Sequence, residues 1–360
     1  MIRPMMFLGL PLMAGAATAG PVETQSGPLQ AVPVMDGLDT PWAFDVLPDE
    51  TVLVTLRDGA LLAQKDGARW QVANPPKVAA DGQGGLLDIL VPADFAQTRQ
   101  LFFTYSKRQG IRGAGTAVYR ATLSEDGRSL TQGETIFEIA RGTRGGVHFG
   151  ARLVESRDGT LFVTIGDRGN GDQAQDLSMH NGSVLHITKE GAPVPGNPFA
   201  GTDGAQPEIW SYGHRNPQGA ALDASGQLWT VEHGARGGDE VNRIEKGANY
   251  GWPVISYGVN YNGSPIGEGT EKEGMKQPVH FWDPSMAPSG MTFFEGGPWD
   301  GNAFIGSLKF DYIARLAGDP LREVEQISSP ETGRVRDVAQ GPDGRLWFLS
   351  VQDGALYRLE

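Results

Sequence analysis

The chain has 360 residues, of which 51 are glycine and none is cysteine, and its formal net charge is −13. This acidic balance argues against a nucleic-acid partner or an anionic membrane surface, because both repel negative charge. Without cysteine the fold cannot depend on disulfide bonds, and glycine at about twice its usual share favours a fold with many tight turns.

The first predicted element is an export signal over residues 1–19. Arg3 gives a positive start, the apolar run MMFLGLPLMAGA follows, and Ala17-Thr18-Ala19 matches an A-x-A cleavage site. The run is too short to span a membrane, and no other stretch qualifies. A buried N-terminal helix is the alternative, but glycine and proline interrupt the run. The sequence therefore predicts an exported, periplasmic protein without a membrane span.

Past the signal, one unit recurs six times: a short apolar strand, a turn of Pro, Asp or Gly, and a second strand rich in β-branched and aromatic residues. Turn dipeptides such as Asp158-Gly159, Ser225-Gly226 and Asp343-Gly344 indicate β-hairpins. The units are FDVLPDETVLVTLRDGAL, ILVPADFAQTRQLFFTYS, RLVESRDGTLFVTIGDRG, AALDASGQLWTVEHGARG, MTFFEGGPWDGNAFIGSL and DVAQGPDGRLWFLSVQDGALYRL.

These units predict an all-β, six-bladed β-propeller that occupies residues 20–360 as one domain. Their uneven spacing, roughly 45 to 70 residues, suits blades that carry insertions. Persistent helical periodicity and linker segments are absent from the sequence. A β-sandwich is the alternative, but six hairpins of one kind are more than a sandwich usually has.

Polar residues directly follow the second strands of several units. They are Arg57, Asp167, Arg168, Glu232, His233 and Lys309. Loops from all blades of a propeller converge near the axis, so we expect these side chains to gather at one face.

Three polar stretches are unusual for turns: GHRNPQG, EHGARGGDEVNRIEKGANYGWP and GRVRDV. In the third, the period of two predicts that Arg334 and Arg336 share one strand face. Two arginines on one face, with only Asp337 near them in sequence, indicate an anionic ligand that carries carboxylates or phosphates. A solvated strand edge is the alternative.

Together these stretches resemble the soluble quinoprotein sugar dehydrogenases of the glucose/sorbosone dehydrogenase family, most closely its aldose sugar dehydrogenase branch. The resemblance covers nearly the whole mature chain, and its motifs are DGQGGLLDI, HFGARLV, TIGDRG, GHRNPQG, GGDEVNRIEKGANYGWP, SLK and RVRDV, in that order. It implies a six-bladed propeller that uses pyrroloquinoline quinone (PQQ) and Ca²⁺ to oxidise aldose sugars at the anomeric carbon to lactones.

The resemblance also implies roles for single residues. His148 matches the general base, Asp167 the acid that hydrogen-bonds to it, and Arg215 a contact near the reactive carbonyl of PQQ. Further cofactor contacts implied by the match are Gln83, Asn216, Tyr261, Lys309, Arg334 and Arg336. The last three match a cationic cradle for the carboxylates of the quinone.

The implied metal positions are of two kinds. Main-chain oxygens of Gly234 and Ala235 match the protein ligands of the cofactor's calcium, and Glu240 and Tyr250 match a second, structural calcium site. The segment FWDPSMAPSG, with Trp282 and Ser285, resembles a cofactor-lining stretch.

Two features depart from the family pattern. Ala235 stands where relatives often have proline; because the ligand there is a backbone carbonyl, calcium binding should survive. The long insertions of the glucose-specific dimeric relatives are absent, which favours a monomer and weakens the case for glucose specificity. The electron acceptor could be a soluble quinone, a cytochrome or a dye.

The chemistry explains why a histidine and an acid occur together. A neutral imidazole suits removal of a hydroxyl proton near neutral pH, and a carboxylate on its other nitrogen fixes the tautomer. The remaining histidines lack the spacing of zinc sites and are interpreted as structural or rim residues. They are His180, His186, His214, His233 and His280.

Two other functions stay open at this point. One is a calcium-dependent propeller lactonase or esterase, against which the cationic residues argue, because a lactonase needs no cradle for a polyanion. The other is a non-catalytic propeller that binds a glycan or a protein, which the His148–Asp167 pair disfavours.

Overall fold

The computed structural model describes residues 21–360, so the export signal predicted for residues 1–19 lies outside the described range. The 24 strands form six four-stranded antiparallel sheets, which confirms the six-bladed β-propeller. The helices within residues 21–360 are the four-residue α1 (Phe95–Thr98) and four 3₁₀ turns, Gly110–Arg112, Gly171–Gln175, Gly297–Trp299 and Pro330–Thr332. None of these described helices has the length and hydrophobicity that crossing a membrane requires.

The strands follow one another from blade to blade. The first thirteen are β1 (Ala31–Met35), β2 (Pro41–Val46), β3 (Val52–Leu56), β4 (Leu61–Lys65), β5 (Ala68–Val72), β6 (Leu86–Leu90), β7 (Gln100–Arg108), β8 (Ala114–Leu123), β9 (Leu130–Glu138), β10 (Leu153–Glu155), β11 (Leu161–Ile165), β12 (Ser183–Ile187) and β13 (Ile209–Tyr212). The others are β14 (Pro217–Leu222), β15 (Leu228–Glu232), β16 (Asp239–Arg243), β17 (His280–Trp282), β18 (Pro288–Phe293), β19 (Ala303–Ser307), β20 (Ile313–Ala317), β21 (Arg322–Ile327), β22 (Val335–Gln340), β23 (Leu346–Ser350) and β24 (Ala355–Leu359).

Five blades consist of four consecutive strands, starting with β2, β6, β10, β14 and β18. The sixth combines β22, β23 and β24 with the N-terminal strand β1, which pairs with β24 so that Ala31 lies opposite Leu359. The two ends of the described chain therefore close the ring within one sheet.

The second strands explain the apolar runs of the sequence. Every residue of β3, β11, β15, β19 and β23 is buried. These strands lie between neighbouring blades, where both faces of a sheet need apolar cover, so their sequences are nearly continuous VLVTL- or LFVTI-like runs. The outer strand β21, REVEQI, alternates between exposed and half-buried residues instead and ends on the buried Ile327.

Glycine lets adjacent blades approach closely near the axis. A Cβ atom at Gly290 of β18 would lie 2.2 Å from Oδ1 of Asp337 in β22, and one at Gly219 of β14 would lie 2.3 Å from the carbonyl oxygen of Ser289. Both contacts are shorter than any side chain tolerates, so these positions require glycine.

A buried ion cluster lies where the innermost strands meet. Arg152 binds Asp88 at 2.9 Å and Asp337 at 3.1 Å, donates to the main-chain oxygen of Gln218 at 3.2 Å, and stacks over the ring of Trp42. Burial raises the pKa of Asp88 to about 7, although the positive charge of Arg152 acts in the opposite direction. Groups from five blades thus meet around one guanidinium.

We expect Arg152→Met to lower the free energy of unfolding by about 3–5 kcal/mol at pH 8, because it leaves the buried Asp88 and Asp337 without their cation. The loss should shrink at pH 5, where these carboxyl groups can take up protons. Urea unfolding measures both values, with the exposed Arg128→Met as the control. An unchanged urea midpoint at pH 8 would show that the cluster does not stabilise the fold.

Candidate active site

The loop before β10 presents His148 from a strained backbone. His148 has a φ of 52°, in the left-handed region that non-glycine residues rarely adopt. Its N–H donates to Oε1 of Gln83 at 2.8 Å. A Cβ atom at Gly166 would lie 2.3 Å from the main-chain oxygen of His148, so the small residue at the end of β11 is what allows this loop to approach. The residue packed against the main chain of His148 must therefore be small, because there is no space for a side chain.

His148 and Asp167 form a close pair. Nδ1 of His148 lies 2.6 Å from Oδ1 of Asp167, which is 2% exposed. The carboxylate also accepts the N–H of Gly169 at 2.7 Å and Nε1–H of Trp252 at 2.9 Å. Because a carboxylate accepts at Nδ1, the neutral imidazole carries its proton there and leaves the lone pair of Nε2 free. The pair has the geometry of an oriented base.

Arg215 forms the adjacent wall of the site. Its N–H donates to Glu232 at 2.6 Å, its guanidinium donates to the main-chain oxygen of His233 at 3.2 Å, and it stacks on Trp252 at 5.2 Å. Nε of Arg215 is buried and has no partner within the described residues. The hydroxyl of Tyr261 lies 3.5 Å from Arg215, but Tyr261 is 74% exposed and sits at the rim.

Asn216 lies behind the histidine loop. Its side-chain oxygen accepts the N–H of Gly150 at 3.1 Å, and the side chain is 1% exposed. The structure therefore gives Asn216 a contact that positions the loop of His148.

Three arginines form a cationic cluster: Arg57, Arg334 and Arg336. Their side chains donate to uncharged acceptors, which are the main-chain oxygens of Gly82 and Leu308 and the side-chain oxygen of Gln218. Nε of Arg57 and Nε of Arg336 are buried without a partner among residues 21–360. Burial, and then the charges of Arg334, Arg152 and Arg57, lower the pKa of Arg336 to about 9. The protein thus concentrates positive charge that it does not itself neutralise.

The regular strand alternation that the sequence predicts for Arg334 and Arg336 does not extend to Arg334. Arg334 lies just before β22 with a φ of 51°, and the pairing of β22 with β23 shifts between Val335 and Asp337. A left-handed residue and a bulge, rather than regular strand periodicity, set the directions of the two side chains. Lys309 is brought near by its neighbour Leu308, whose carbonyl oxygen accepts from Arg334 at 3.0 Å. Arg57 completes the cluster and was identified from the sequence only as a residue at a strand end.

His233 belongs to the same pocket, which the sequence interpretation as a structural or rim residue missed. Its Nε2–H donates to the carbonyl oxygen of Pro288 at 2.6 Å. Burial, and then the charges of Arg215 and Arg336, lower the pKa of His233 to about 3. Its carbonyl oxygen accepts from the guanidinium of Arg215 at 3.2 Å, and both residues line the same small cavity. Its position directly after β15 was the signal for this location.

Three of the other histidines have hydrogen-bond partners within or between blades, whereas His280 packs edge-on against the ring of Trp282 and its Nε2 has no partner among the described residues. His214 binds Ser211 and Glu232, His180 binds Glu208, and His186 binds Thr160 and Asn197. Such contacts fit the structural role expected from the sequence. Trp252 is a further residue that sequence analysis missed, although it lies within the GANYGWP motif.

Three of the four predicted metal positions line a small cavity of about 10 Å³, room for one water-sized particle, and Ala235 is not among its lining residues. Glu232, Gly234, Glu240 and Tyr250 are among its lining residues. Glu232 and Glu240 are opposite each other on β15 and β16, and Asn242 donates to both carboxylates. Burial, and then the charge of Glu232, raise the pKa of Glu240 to about 8. A buried and a half-buried carboxylate that share one donor favour a bound cation.

Other candidate ligands are constrained by the fold. The hydroxyl of Tyr250 accepts from Glu245 and donates to Arg243, which leaves only its main-chain oxygen for a metal. Gly234 must be glycine, since a Cβ atom there would lie 2.2 Å from the carbonyl oxygen of Gly237 in the loop that also holds Ala235. Within residues 21–360 no three His, Asp or Glu side chains form a metal-binding group.

The FWDPSMAPSG segment supports the loop that carries Gly234 rather than lining the pocket. Trp282 is buried in an apolar cluster and donates to Glu323 at 2.5 Å. Ser285 donates to Asp239, whose carboxylate also accepts the N–H of Gly234 at 2.8 Å. The segment therefore fixes the Gly234 loop through Asp239.

Comparison with known proteins gives consistent results. The sequence profile of the Glucose / Sorbosone dehydrogenase family matches residues 38–358. Aldose sugar dehydrogenase YliI of Escherichia coli is 42% identical over 328 residues, which cover 88% of each chain. The crystal structure of the soluble aldose sugar dehydrogenase from Escherichia coli in the apo-form has a TM-score of 0.88 at 40% identity, and covers 92% of this chain and 98% of that one. The PQQ-bound form of an aldose sugar dehydrogenase from Streptomyces coelicolor has a TM-score of 0.77 at 27% identity, and covers 92% and 97%.

Proposed function

The chain belongs to the glucose/sorbosone dehydrogenase family, and from that premise we propose that it is a periplasmic quinoprotein that oxidises aldose sugars to lactones. The observation that carries this proposal is that the His148–Asp167 pair and the guanidinium of Arg215 meet at Trp252, in a protein where the buried Nε atoms of Arg57, Arg215 and Arg336 have no partner within residues 21–360. Relatives named as aldose sugar dehydrogenases, one of them in a PQQ-bound form, support it.

The cationic cluster fits PQQ. The cofactor carries three carboxylates, and Arg57, Arg334 and Arg336 offer guanidinium groups whose protein acceptors are all uncharged. Charge-assisted hydrogen bonds to such carboxylates contribute about 1.5–3 kcal/mol each. Lys309 adds a charge at the exposed end of the cluster. A planar polyanion bound there would satisfy the orphaned Nε atoms and relieve the mutual repulsion of the arginines.

The cavity beside Gly234 and Glu240 fits calcium. It has room for one particle and is lined by carboxylates whose charges repel each other. Calcium prefers oxygen ligands and accepts carboxylate and main-chain oxygens together. We assign the main-chain oxygens of Gly234 and Ala235 to the cofactor's calcium, and Glu240 with the main-chain oxygen of Tyr250 to a second calcium.

The protein's own groups supply the acid–base chemistry. When bound, PQQ supplies the acceptor for the hydride that leaves the anomeric carbon. Nε2 of His148 takes the hydroxyl proton, and Asp167 stabilises the imidazolium that results. Gln83 holds the backbone of His148, and Trp252 holds the second oxygen of Asp167, so neither partner can rotate away. Arg215 directs its guanidinium into the pocket, where it stabilises developing negative charge.

The remaining parts of the proposal follow from the sequence. The export signal over residues 1–19 supports a periplasmic location. The missing insertions support a monomer. The side chains at the axis do not support a lactonase. Within residues 21–360 no group of three His, Asp or Glu side chains is arranged for a metal. The axis instead holds Arg152 between Asp88 and Asp337.

We expect His148→Gln to bind PQQ normally but to oxidise sugars at least about 100-fold more slowly, the usual scale for loss of a general base. The assay adds PQQ and calcium to the purified protein and follows reduction of a dye with a panel of mono- and disaccharides. His280→Gln, a substitution on the outer strand β17, is the control and should retain activity. Comparable turnover in His148→Gln and the unmutated protein would contradict the assignment of the base.

Calcium should raise the free energy of unfolding of the chelator-treated protein. The gain should be about 2.7 kcal/mol when the calcium concentration is 100 times the dissociation constant. Glu240→Gln should reduce this gain, because it removes the charge that attracts the ion, whereas the exposed Glu295→Gln should leave it intact. Thermal unfolding with and without calcium measures the effect. Equal gains in both variants would show that Glu240 is not a ligand.

A further inference from the structure

A set of basic residues lies beside the mouth of the pocket. This basic rim consists of Lys107, Arg108, Arg112, Arg141 and Arg144. The first three belong to the hairpin of β7 and β8, and the other two to the connection from β9 to β10 that also carries His148. Successive turns alternate between the two ends of antiparallel strands, so both segments lie at the end of the propeller where the site opens.

Hydrogen bonds tie the rim to the catalytic loop. Ala114 and Thr143 exchange main-chain bonds of 3.0 and 3.1 Å, and Nε of Arg144 donates to the carbonyl oxygen of Ile111 at 3.0 Å. The buried guanidinium of Arg168, the residue after Asp167, donates to the carbonyl oxygens of Ala114 and Gly145 at 3.2 and 3.1 Å. The rim therefore has a fixed position relative to His148.

The rim has excess positive charge. Arg108 pairs with Asp81 and Lys107 pairs with Glu138, each at 3.0 Å; the first pair is exposed and the second is partly exposed. Within residues 21–360, the salt bridges at this edge leave Arg112, Arg141 and Arg144 without a carboxylate partner. Five cations against two carboxylates give a local net charge of +3 on a chain whose net charge is −13.

An exposed apolar residue lies among these charges. Ile111, between the rim residues at the tip of the hairpin, is 85% exposed, and Val147, next to His148, is 36% exposed. Apolar side chains surrounded by charged ones are typical of surfaces that bind another protein transiently.

We propose that the basic rim and Ile111 form the docking surface for a small acidic electron-carrier protein with a one-electron group near its surface. This rests on the proposed function: oxidation of one sugar to a lactone releases two electrons and two protons. Two molecules of the carrier accept the electrons in turn, and the protons pass to solvent. The positive rim would steer a negatively charged carrier to the one part of an otherwise acidic protein that borders the pocket.

Cytochrome c and its fully succinylated form are suitable probes, because they carry the same haem on a basic and an acidic surface. The rim variant Arg112→Gln/Arg141→Gln/Arg144→Gln should bind ferric succinylated cytochrome c at least about tenfold more weakly than the unmutated protein at low ionic strength. Its rate of reducing that cytochrome with sugar should fall by a similar factor. Biolayer interferometry and stopped-flow absorbance measure the two effects.

A matched variant, Arg128→Gln/Arg157→Gln/Arg345→Gln, removes three exposed arginines from turns at the opposite end of the strands, and should bind as the unmutated protein does. The rim variant should bind native cytochrome c at least as tightly as the unmutated protein does. Sugar oxidation with the small uncharged acceptor 1,4-benzoquinone should be the same in all three proteins.

The docking proposal is overturned if the unmutated protein does not bind succinylated cytochrome c, or if the rim and matched variants bind it equally. It is also overturned if the rim variant loses affinity for native cytochrome c by the same factor as for the succinylated form. Absence of sugar oxidation with benzoquinone in the unmutated holoprotein would instead contradict the proposed function. The binding measurement, which needs no turnover, would still judge the docking surface.

Discussion

The side chain of Arg336 is half-buried beside the propeller axis, where its guanidinium donates to the amide oxygen of Gln218 at 2.6 Å and lies over the ring of Trp42. Next to it, Arg152 is bonded to Asp88 and Asp337 and to the main chain of the same Gln218. Arg152 thus pairs with both carboxylates at the axis. Arg336 faces the pocket, and within residues 21–360 it forms no salt bridge. Burying an unpaired cation is costly, so an anion bound in the pocket would stabilise this arrangement.

The rest of the site is arranged around that charge. His148 acts as a base through Nε2, because its hydrogen bond to Asp167 places the proton of the neutral ring on Nδ1. The strained backbone of His148 is held by Gln83 on one side and by the close approach of Gly166 on the other. Such strain persists only where surrounding contacts fix it, which is expected where the direction of one nitrogen matters.

Local patterns in the sequence were sufficient to predict the blades and much of the site. The continuous apolar strands such as VLVTL and LFVTI, with their Asp-Gly and Ser-Gly turns, mark each hairpin, because burial on both faces and tight reversal are local demands. The rule that polar residues after second strands converge brought Arg57, Asp167 and His233 to one end of the ring. The resemblance then indicated which of them face a ligand.

What the sequence did not predict depends on long-range packing. Trp252 reaches Asp167 from an insertion 85 residues further along the chain, a contact that no local spacing encodes. The left-handed backbone of Arg334 and the bulge that follows it replace regular alternation. The hydroxyl of Tyr250 is occupied by Glu245 and Arg243, which only the folded turn brings to it. In each case a loop conformation, set by contacts between blades or with an insertion, decides the role of the residue.

The most direct test of this account is a titration of Arg336→Ala apoprotein with PQQ in the presence of calcium, beside the unmutated protein and the exposed Arg128→Ala. If the axial arginine exists to bind an anion, the variant should bind PQQ roughly ten- to a hundredfold more weakly, since one charge-assisted contact of about 1.5–3 kcal/mol is lost. Its fold should be as stable as before or more so, because an unpaired buried cation has been removed. A binding curve that overlays that of the unmutated protein would contradict the account, since the uncompensated charge at the axis would then have no anion to bind.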